Sequence, residues 1–340
     1  MGAVNVYGVG NPLIDVLAAV EDHELEDLSL EKGTMRLVDD EQADRILAVL
    51  GEREKVYASG GSCPNTMNTL AVLGVSSALA GCIGDDELGG IYIDGLREDG
   101  VISDVTQVDA PTGSSLVLIS PDGERTMCTR LGACRRFSPE YVDHGRVRDA
   151  RMLHFTGYMW DTESQKSAVS AAIETARASD TTVVFDVADP MAVDRYRDDF
   201  RALIGGSVDV LFANRAEACA LLDDDSLGAR EAARELSSWC GIAAVKDGKH
   251  GSSIGLDGES SSVPGEPVDA IDTTGAGDNY AAGFMYGLLA GESPADAARY
   301  ASHVAARIVR QRGSQFRGEA RSGVRAEIHG LRDPVAASRK

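Results

Sequence analysis

The chain of 340 residues contains little lysine: only six of its 33 basic residues are lysine, and the other 27 are arginine. The basic residues are outnumbered by 54 acidic residues, which gives a formal net charge of −21. Such a surface disfavours binding to nucleic acid or to an anionic membrane, because both require a positive field. The composition resembles that of proteins from salt-loving organisms, in which high salt screens the repulsion between acids.

Paired cysteines and long apolar runs are also missing. The six cysteines are scattered and include no C-x-x-C pair, so the pattern predicts reduced, buried thiols rather than a zinc site or a disulfide framework. No apolar run approaches the roughly 18–20 residues of a membrane span. The first residues lack the basic and apolar segments of a signal peptide. We therefore predict a cytoplasmic protein.

Two common catalytic motifs are absent from the sequence. There is no G-x-x-x-x-G-K-[ST] phosphate loop and no H-E-x-x-H zinc motif. The six histidines lie apart from one another. These absences leave phosphoryl transfer to a hydroxyl, without a phosphate loop, as the chemistry to consider.

A glycine-rich turn is the most informative stretch. Residues 272–284 read DTTGAGDNYAAGF and run from the turn directly into an apolar helix. The N–H groups of Gly275, Ala276 and Gly277 can point together at a phosphate or a developing oxyanion. A bound phosphate would repel Asp278, so we predict that this acid takes the proton of the attacking hydroxyl. The alternative is that Asp278 only caps the helix.

A second stretch makes this pattern specific to a known family. Residues 60–66 read GGSCPNT and residues 70–74 read LAVLG. Together they resemble the N-terminal signature of the PfkB (ribokinase-like) sugar and nucleoside kinases, and residues 272–284 resemble the C-terminal signature. Shorter fragments fit the same family at residues 10–15, 81–86, 123–126 and 214–217. The resemblance covers roughly residues 4 to 317 and is nearest to the adenosine-kinase-like branch.

The fold class follows from the alternation of strands and helices after residue 151. Continuous apolar strands between amphipathic helices indicate a mostly parallel sheet that is covered on both faces. The resemblance implies a ribokinase-like three-layer α/β/α core with a small β-sheet lid. We assign residues 1–12, 39–104 and 135–320 to the core, 13–38 and 105–134 to the lid, and 321–340 to a loose polar tail.

The resemblance also implies an acceptor pocket. Asp15 follows the first strand, and its carboxylate can accept two hydrogen bonds from the vicinal hydroxyls of a ribose. The same pocket is expected to include Asn11, Gly60, Gly61 and Asn65, with the glycines allowing close approach of the backbone.

A nucleotide and a metal are implied in the same way, with ATP as donor and Mg²⁺ as cofactor. Asn214 and Glu217 resemble the family's N-x-x-E motif, whose acid helps to hold a hydrated Mg²⁺; the alternative is a solvated helix turn. Arg125 corresponds to a lid arginine that faces the phosphates, or else lies on the hairpin surface. The remaining residues predicted to bind the nucleotide are Lys246, Gly248, Gly251, Thr274 and His303.

One stretch departs from the nucleoside-binding relatives. Arg130, Arg135 and Arg136 lie where those relatives would be expected to offer smaller or apolar groups for a base. In so acidic a chain, the three arginines can recognise an anionic acceptor by charge-assisted hydrogen bonds. The alternative is that they pair with surface acids.

These observations predict an ATP-dependent kinase that phosphorylates the primary 5-hydroxyl of a ribofuranosyl compound. Because of the arginines, ribose 1-phosphate, which would give ribose 1,5-bisphosphate, is favoured over a nucleoside such as adenosine or another sugar. A non-catalytic sugar or nucleotide sensor is the rival from another class, and it would be expected to lose Asp278. An exposed lid edge makes a homodimer through the lid plausible.

Overall fold

The structure, a computed structural model, describes residues 4–332 in two β-sheets with surrounding helices. The strands are β1 Val6–Val9, β2 Leu13–Ala19, β3 Met35–Leu37, β4 Val56–Gly60, β5 Ser77–Gly84, β6 Ile102–Val108, β7 Ser114–Ile119, β8 Arg125–Arg130, β9 Met152–Thr156, β10 Thr182–Asp186, β11 Val210–Asn214, β12 Ile242–Lys246, β13 Ser252–Leu256 and β14 Glu259–Val263. The helices are α1 Asp22–Asp27, α2 Asp40–Leu50, α3 Ser62–Val72, α4 Glu87–Asp99, α5 His144–Asp149, α6 Glu163–Arg177, α7 Pro190–Ser207, α8 Arg215–Leu222, α9 Ala229–Leu236, α10 Ala276–Leu289, α11 Pro294–Ile308 and α12 Gly318–Arg332.

The large sheet has nine strands in the order β14-β13-β12-β11-β10-β9-β1-β5-β6. The strands from β12 to β6 are parallel, and β13 and β14 add an antiparallel hairpin at one edge. Strands β5 and β9 are buried along their whole length, as expected for apolar strands between two layers of helices. Helices α5–α9 pack on one face, and α3, α4, α10 and α11 pack on the other. The predicted three-layer α/β/α core is confirmed.

The small sheet has five strands in the order β3-β8-β7-β2-β4 and corresponds to the predicted lid. Helix α2 packs against it with Ala43, Ile46 and Leu50 buried. Asp39 caps this helix by accepting a hydrogen bond from the backbone of Gln42 at 2.8 Å.

The pairing of the strands differs from the boundaries predicted between core and lid in two segments. Strand β4 was assigned to the core within 39–104 but pairs with β2 in the small sheet, and α2 packs on that sheet as well. The end of β6 was assigned to the lid within 105–134 but pairs with β5 in the large sheet. Both strands are edge strands with mixed burial, so their residue pattern carries no signal for one sheet over the other.

The loose tail predicted for residues 321–340 is also wrong over the part that the structure describes. Helix α12 continues to Arg332, and Val324 and Ile328 are buried because their spacing places them on one side of the helix. The buried carboxylate of Asp99 accepts hydrogen bonds from Arg317 and Arg321, which tie this segment to the end of α4. Residues 333–340 lie outside the described residues.

Two composition-based predictions can be compared with the structure. All six cysteines are free and buried, as the sequence predicted. Among the helices of residues 4–332, none combines the length and the apolar character needed to cross a membrane.

Candidate active site

The candidate site lies where the carboxyl ends of the central parallel strands meet the start of α10. Asp186, Asn214 and Lys246 end the adjacent strands β10, β11 and β12. Helix α10 begins after Gly275, whose φ of +74° suits glycine. A Cβ at that position would also lie 2.6 Å from the Cβ of Ser314, so only glycine fits this turn.

Asp278 lies in the first turn of α10 and is held by α3. Ser62 donates a hydrogen bond from Oγ to its Oδ1 at 2.6 Å, and Asn65 donates from Nδ2 to its Oδ2 at 2.9 Å. Burial raises the pKa of Asp278 to about 6, and these two hydrogen bonds oppose the rise. Its side chain does not cap α10, because Gly275 occupies the N-cap position. Asp278 is therefore a fixed carboxylate that is ionised at neutral pH.

The amide of Asn65 is itself fixed in orientation. Its Oδ1 accepts hydrogen bonds from Ser314 Oγ and from Gln315 Nε2, both at 3.1 Å. Since the amide oxygen is occupied by two donors, the Nδ2 group must face Asp278. Ser314 and Gln315, in the segment after α11, thus fix the position of Asp278 through Asn65.

A buried group of charges lies beside Asp278 at the ends of the strands. Lys246 Nζ is 3.0 Å from Asp186 Oδ2, and both side chains are largely buried. Glu217 is only 2% exposed, which rules out the solvated helix turn considered above. Burial raises the pKa of Glu217 to about 7, against the positive charge of Lys246.

The N-x-x-E motif forms a capping box at the start of α8. Asn214 donates from its backbone N–H to Glu217 Oε2 at 2.7 Å and from Nδ2 to Oε1 at 2.6 Å. In return, Asn214 Oδ1 accepts from the backbone of Glu217 at 2.9 Å. Both side chains are thus mutually engaged in the structure.

The carboxylates near the strand ends fit a hydrated Mg²⁺ better than a closed metal cage. No group of three or more potential metal ligands occurs among residues 4–332. A Mg²⁺ ion that keeps several waters needs only one or two carboxylates. Glu217 and Asp186, each of which interacts electrostatically with Lys246, provide two.

Asp15, the residue predicted to bind a diol, lies against Gly60. No donor from residues 4–332 forms a hydrogen bond to its carboxylate, and burial raises its pKa to about 6 against the charge of Arg125. A Cβ on Gly60 would lie 2.8 Å from Asp15 Oδ2, so the glycine makes room for this carboxylate. Gly61 has φ +102°, and a Cβ there would lie 2.2 Å from the carbonyl oxygen of Asn11.

Asn11 lies at the same edge of the large sheet, after β1. Its Oδ1 accepts a hydrogen bond from Gln165 Nε2 at 2.8 Å, and its Nδ2 donates to the backbone of Tyr158 at 3.3 Å. The predicted acceptor residues Asn11, Gly60, Gly61 and Asn65 are therefore brought together by direct contacts.

The three arginines of the departing stretch do not form one cluster. Arg130 and Thr129 point to opposite faces of the small sheet because they are adjacent in β8, and Thr129 shares the face of Ser115 and Asp15. The Arg130 side chain is 9% exposed and lies 3.4 Å from Asp44 Oδ1. The prediction that Arg130 binds substrate is therefore replaced by its alternative, pairing with acids.

The other two arginines are exposed and lie in a short 3₁₀ helix, Gly132–Arg136. Arg135 Nε is 3.0 Å from Asp161 Oδ2. Arg136 has no ion pair with any residue that the structure describes. Of the three, Arg136 is the guanidinium that remains open to an anion.

A large cleft of about 740 Å³ adjoins the glycine-rich turn. Its lining includes Lys246, Gly248, Gly251, Ala276 and Gly277 from the predicted set, together with Tyr280 and small apolar residues of α11. The apolar part suits a purine ring, and Lys246 with the turn suits phosphates.

Four residues predicted to bind the nucleotide do not line this large cleft: Asn214, Thr274, Arg125 and His303. Thr274 donates from Oγ1 to Asp272 at 2.7 Å. Arg125 reaches across from the small sheet and lies 3.1 Å from Asp272 Oδ2. Both ring nitrogens of His303 contact carboxylates, at 2.7 Å from Glu266 and 2.8 Å from Glu327. His303 thus does not line the cleft itself, but it contacts Glu266, which does.

Comparison with known proteins shows the family to which this chain belongs. A family model described as pfkB family carbohydrate kinase matches residues 34–320. The chain belongs to the PfkB family. It is accordingly a phosphotransferase that acts on an alcohol group, and the PfkB signatures predicted at residues 60–66 and 272–284 are the segments that hold Asp278.

Several relatives of this PfkB kinase are similar over most of its length. An ATP-dependent ribose-1-phosphate kinase from Halopiger xanaduensis is 34% identical over 72% of this chain and 79% of its own. The structure of a probable sugar kinase protein from Rhizobium etli has a TM-score of 0.87 and 33% identity, covering 97% of this chain and 100% of its own. Adenosine kinase from Sinorhizobium meliloti has a TM-score of 0.86 and 33% identity, covering 96% and 100%.

Sequence reasoning missed several residues of this PfkB site. Ser62 lies within the signature at residues 60–66, but the sequence gives no sign of its hydrogen bond to Asp278. Asp186 is the last residue of the apolar strand β10, at the same sheet edge as Asn214 and Lys246, and that signal was available. Ser314 and Gln315 gave no signal, because they follow α11 as isolated polar residues.

Proposed function

We propose that the protein transfers the γ-phosphoryl group of ATP to the primary 5-hydroxyl of a ribofuranosyl compound. The observation that carries this proposal is Asp278, a buried carboxylate that Ser62 and Asn65 hold beside the N–H groups of the glycine-rich turn. Asp278 takes the hydroxyl proton, and the hydroxyl oxygen forms a bond to the γ-phosphorus. The bond from that phosphorus to the bridging oxygen breaks, and ADP leaves.

The backbone of the turn and the charged group beside it would stabilise the transferring phosphoryl. The N–H groups of Gly275, Ala276 and Gly277 lie at the N-terminus of α10, where developing negative charge is favoured. Lys246 lines the same cleft. Glu217 and Asp186 would hold a hydrated Mg²⁺, which when bound neutralises phosphate charge.

Asp15 would select an acceptor that carries vicinal hydroxyls. Its carboxylate lacks a protein donor within residues 4–332, so a bound diol would supply the hydrogen bonds that it lacks. We propose that this contact directs the primary hydroxyl toward Asp278, because Gly60 lies against Asp15 and Ser62, two residues later, donates a hydrogen bond to Asp278.

We favour ribose 1-phosphate as this acceptor. The Halopiger relative that carries this activity in its name supports it. Of the three arginines, we assign the contact with the sugar phosphate to Arg136, with Arg135 beside it. Arg130 faces the other side of the small sheet. An exposed arginine without an acidic partner is suited to an anionic group on the sugar.

Adenosine is the second candidate, and a specific observation favours it. The face of the small sheet that carries Asp15 continues with Leu17, Val117 and Met127 in register. An apolar surface next to the diol-binding carboxylate suits a nucleobase. The Sinorhizobium adenosine kinase also matches nearly the whole chain.

An acceptor screen separates the two candidates. Ribose 1-phosphate, adenosine, ribose and hexose phosphates are each offered with ATP or ADP at fixed salt. We expect Arg136→Ala to raise the KM for ribose 1-phosphate about tenfold to a hundredfold, the equivalent of losing a hydrogen bond of ~1.5–3 kcal/mol to a charged group. Arg148→Ala, which removes an exposed arginine on α5, serves as control. A wild type that prefers adenosine, or an unchanged KM, would reject ribose 1-phosphate.

We also propose that two copies of the chain associate through the small sheet. Its outer strands β3 and β4 carry the exposed apolar side chains Met35, Leu37, Val56 and Tyr57. Edge strands with such residues are prone to pair with another chain. Sedimentation of the wild type and of Val56→Lys checks this proposal, because a charge on β4 should reduce association.

A further inference from the structure

A second, smaller cleft adjoins the large one. It has a volume of about 390 Å³ and lies between the hairpin of β7 and β8 and the turn that precedes α10. Ala270 and Thr273 line both clefts, so the two are neighbours. The rest of its lining comprises Ile119, Gly123, Glu124, Arg125, Ile271, Asp272 and Arg312.

Two arginines line this small cleft, and they differ in whether they pair with an acid. Arg125 is paired with Asp272 at 3.1 Å. Arg312 is exposed and forms no ion pair or hydrogen bond with the side chains of residues 4–332. Asp272 is already occupied, because its carboxylate accepts from Thr274 and from the backbone of Gly313 as well. The positive charge of Arg312 is therefore available to a ligand.

The only other acid in the lining is Glu124, on the small sheet. Its carboxyl group lies against Gly33, at 3.2 Å from the position that a Cβ would take there. A contact between Glu124 and Arg312 across the cleft is thus a rival use of this arginine, and the experiment below includes it.

The backbone that carries Arg312 is anchored to the glycine-rich turn. Gly313 donates to Asp272 at 2.9 Å, and Ser314 lies beneath Gly275 and donates to Asn65. Arg312 therefore extends from a fixed point beside the N–H groups that would receive the phosphates.

We propose that Arg312 binds the γ-phosphoryl group of the donor from the side of the small cleft, opposite Arg125. The inference rests on the proposed function, in which ATP is the donor. A guanidinium can donate two parallel hydrogen bonds to phosphoryl oxygens. It stabilises the charge that those oxygens carry while the bond to the bridging oxygen breaks, and it transfers no proton itself.

The test compares the affinities of Arg312→Ala and Arg310→Ala for ATP, ADP and AMP, measured by calorimetry with Mg²⁺ at fixed salt. Arg310 is exposed, lies two residues away and does not line the cleft, so it controls for the change in net charge. We expect Arg312→Ala to weaken ATP binding about tenfold to a hundredfold while ADP and AMP change less than about twofold. Arg310→Ala should leave all three unchanged.

Other outcomes would overturn the proposal. Equal losses for ATP and ADP would place the contact on the β-phosphate, and an ATP affinity equal to that of Arg310→Ala would remove any phosphate role. If Glu124→Gln weakens ATP binding as much as Arg312→Ala does, the arginine acts through Glu124 instead. Because binding is measured without turnover, these results are independent of the acceptor screen that tests the proposed function.

Discussion

Asp278 shows how one residue is tuned by its surroundings. Burial disfavours its ionised form, whereas the hydrogen bonds from Ser62 and Asn65 favour it. The resulting pKa of about 6 lies close enough to neutral pH for efficient proton transfer and still leaves the carboxylate ionised there.

Replacing this base should remove turnover and leave binding intact. Asp278→Asn keeps the size of the side chain but not the proton acceptor, so kcat should fall by at least ~10²-fold. In the wild type, kcat/KM should fall about tenfold per pH unit below about 6, because protonation inactivates the base. Steady-state rates across pH and calorimetric ATP titrations of the variant check both effects.

Ser62→Ala provides the control for the pH dependence. It removes a hydrogen bond that favours the ionised carboxylate, so the acidic limb of the profile should move to higher pH. Near-normal turnover in Asp278→Asn, or a limb that Ser62→Ala leaves in place, would argue against Asp278 as the base.

Glu217 offers a second test at this scale. Glu217→Gln removes the carboxylate beside Lys246, so the Mg²⁺ concentration for half-maximal rate should rise several-fold at a pH above about 7, where that carboxylate is ionised. Glu235→Gln, which removes an exposed charge on α9, is the matched control. If both variants give the wild-type Mg²⁺ titration, Glu217 serves only to cap α8.

At the scale of elements, α12 is attached to the core through a buried carboxylate. Asp99 is 4% exposed on its side chain, whereas Arg317 and Arg321 are 49% and 33% exposed. Removing the two arginines leaves the buried charge of Asp99 without a partner. This lowers the free energy of unfolding more than removing the charge of Asp99 itself does.

The double variant Arg317→Ala and Arg321→Ala should therefore lower the free energy of unfolding by ~3–5 kcal/mol. Asp99→Asn should cost less, because it leaves no buried charge. Denaturant unfolding measures both, with the exposed Arg325→Ala on the same helix as control. Equal losses for the double variant and for Asp99→Asn would contradict this account of the ion pairs.

The elements also show which parts of the structure the sequence could predict. The glycine-rich turn and the segment before α3 were predictable, because their backbone demands are local and only glycine meets them. The residues of β4 and of the end of β6 were placed on the wrong side of the boundary between core and lid, because the choice depends on contacts distant in the chain. The orientation of Arg130 could be predicted from the sequence, because the alternation of side chains along β8 places Arg130 on the face opposite to Asp15.

At the scale of the whole molecule, the charge of −21 opposes the compact state. Raising salt toward molar concentration shortens the Debye length to ~3 Å and should raise the melting temperature. Thermal unfolding in NaCl from dilute to molar measures this directly. A melting temperature that stays flat or falls across that range would refute the interpretation as a salt-adapted protein.

The segment that joins the two sheets bears on the hydrolysis of ATP by water. Strand β4 of the small sheet ends at Gly60, and after Gly61 the chain enters α3, whose first residue is Ser62. A displacement of the small sheet is thus transmitted within two residues to a hydrogen bond on Asp278. We expect a sugar bound to Asp15 to hold the small sheet, and through Gly60 and Gly61 the hydrogen bond from Ser62 to Asp278, in the arrangement that transfer to a hydroxyl requires. We expect this junction to limit futile hydrolysis of ATP between productive turnovers.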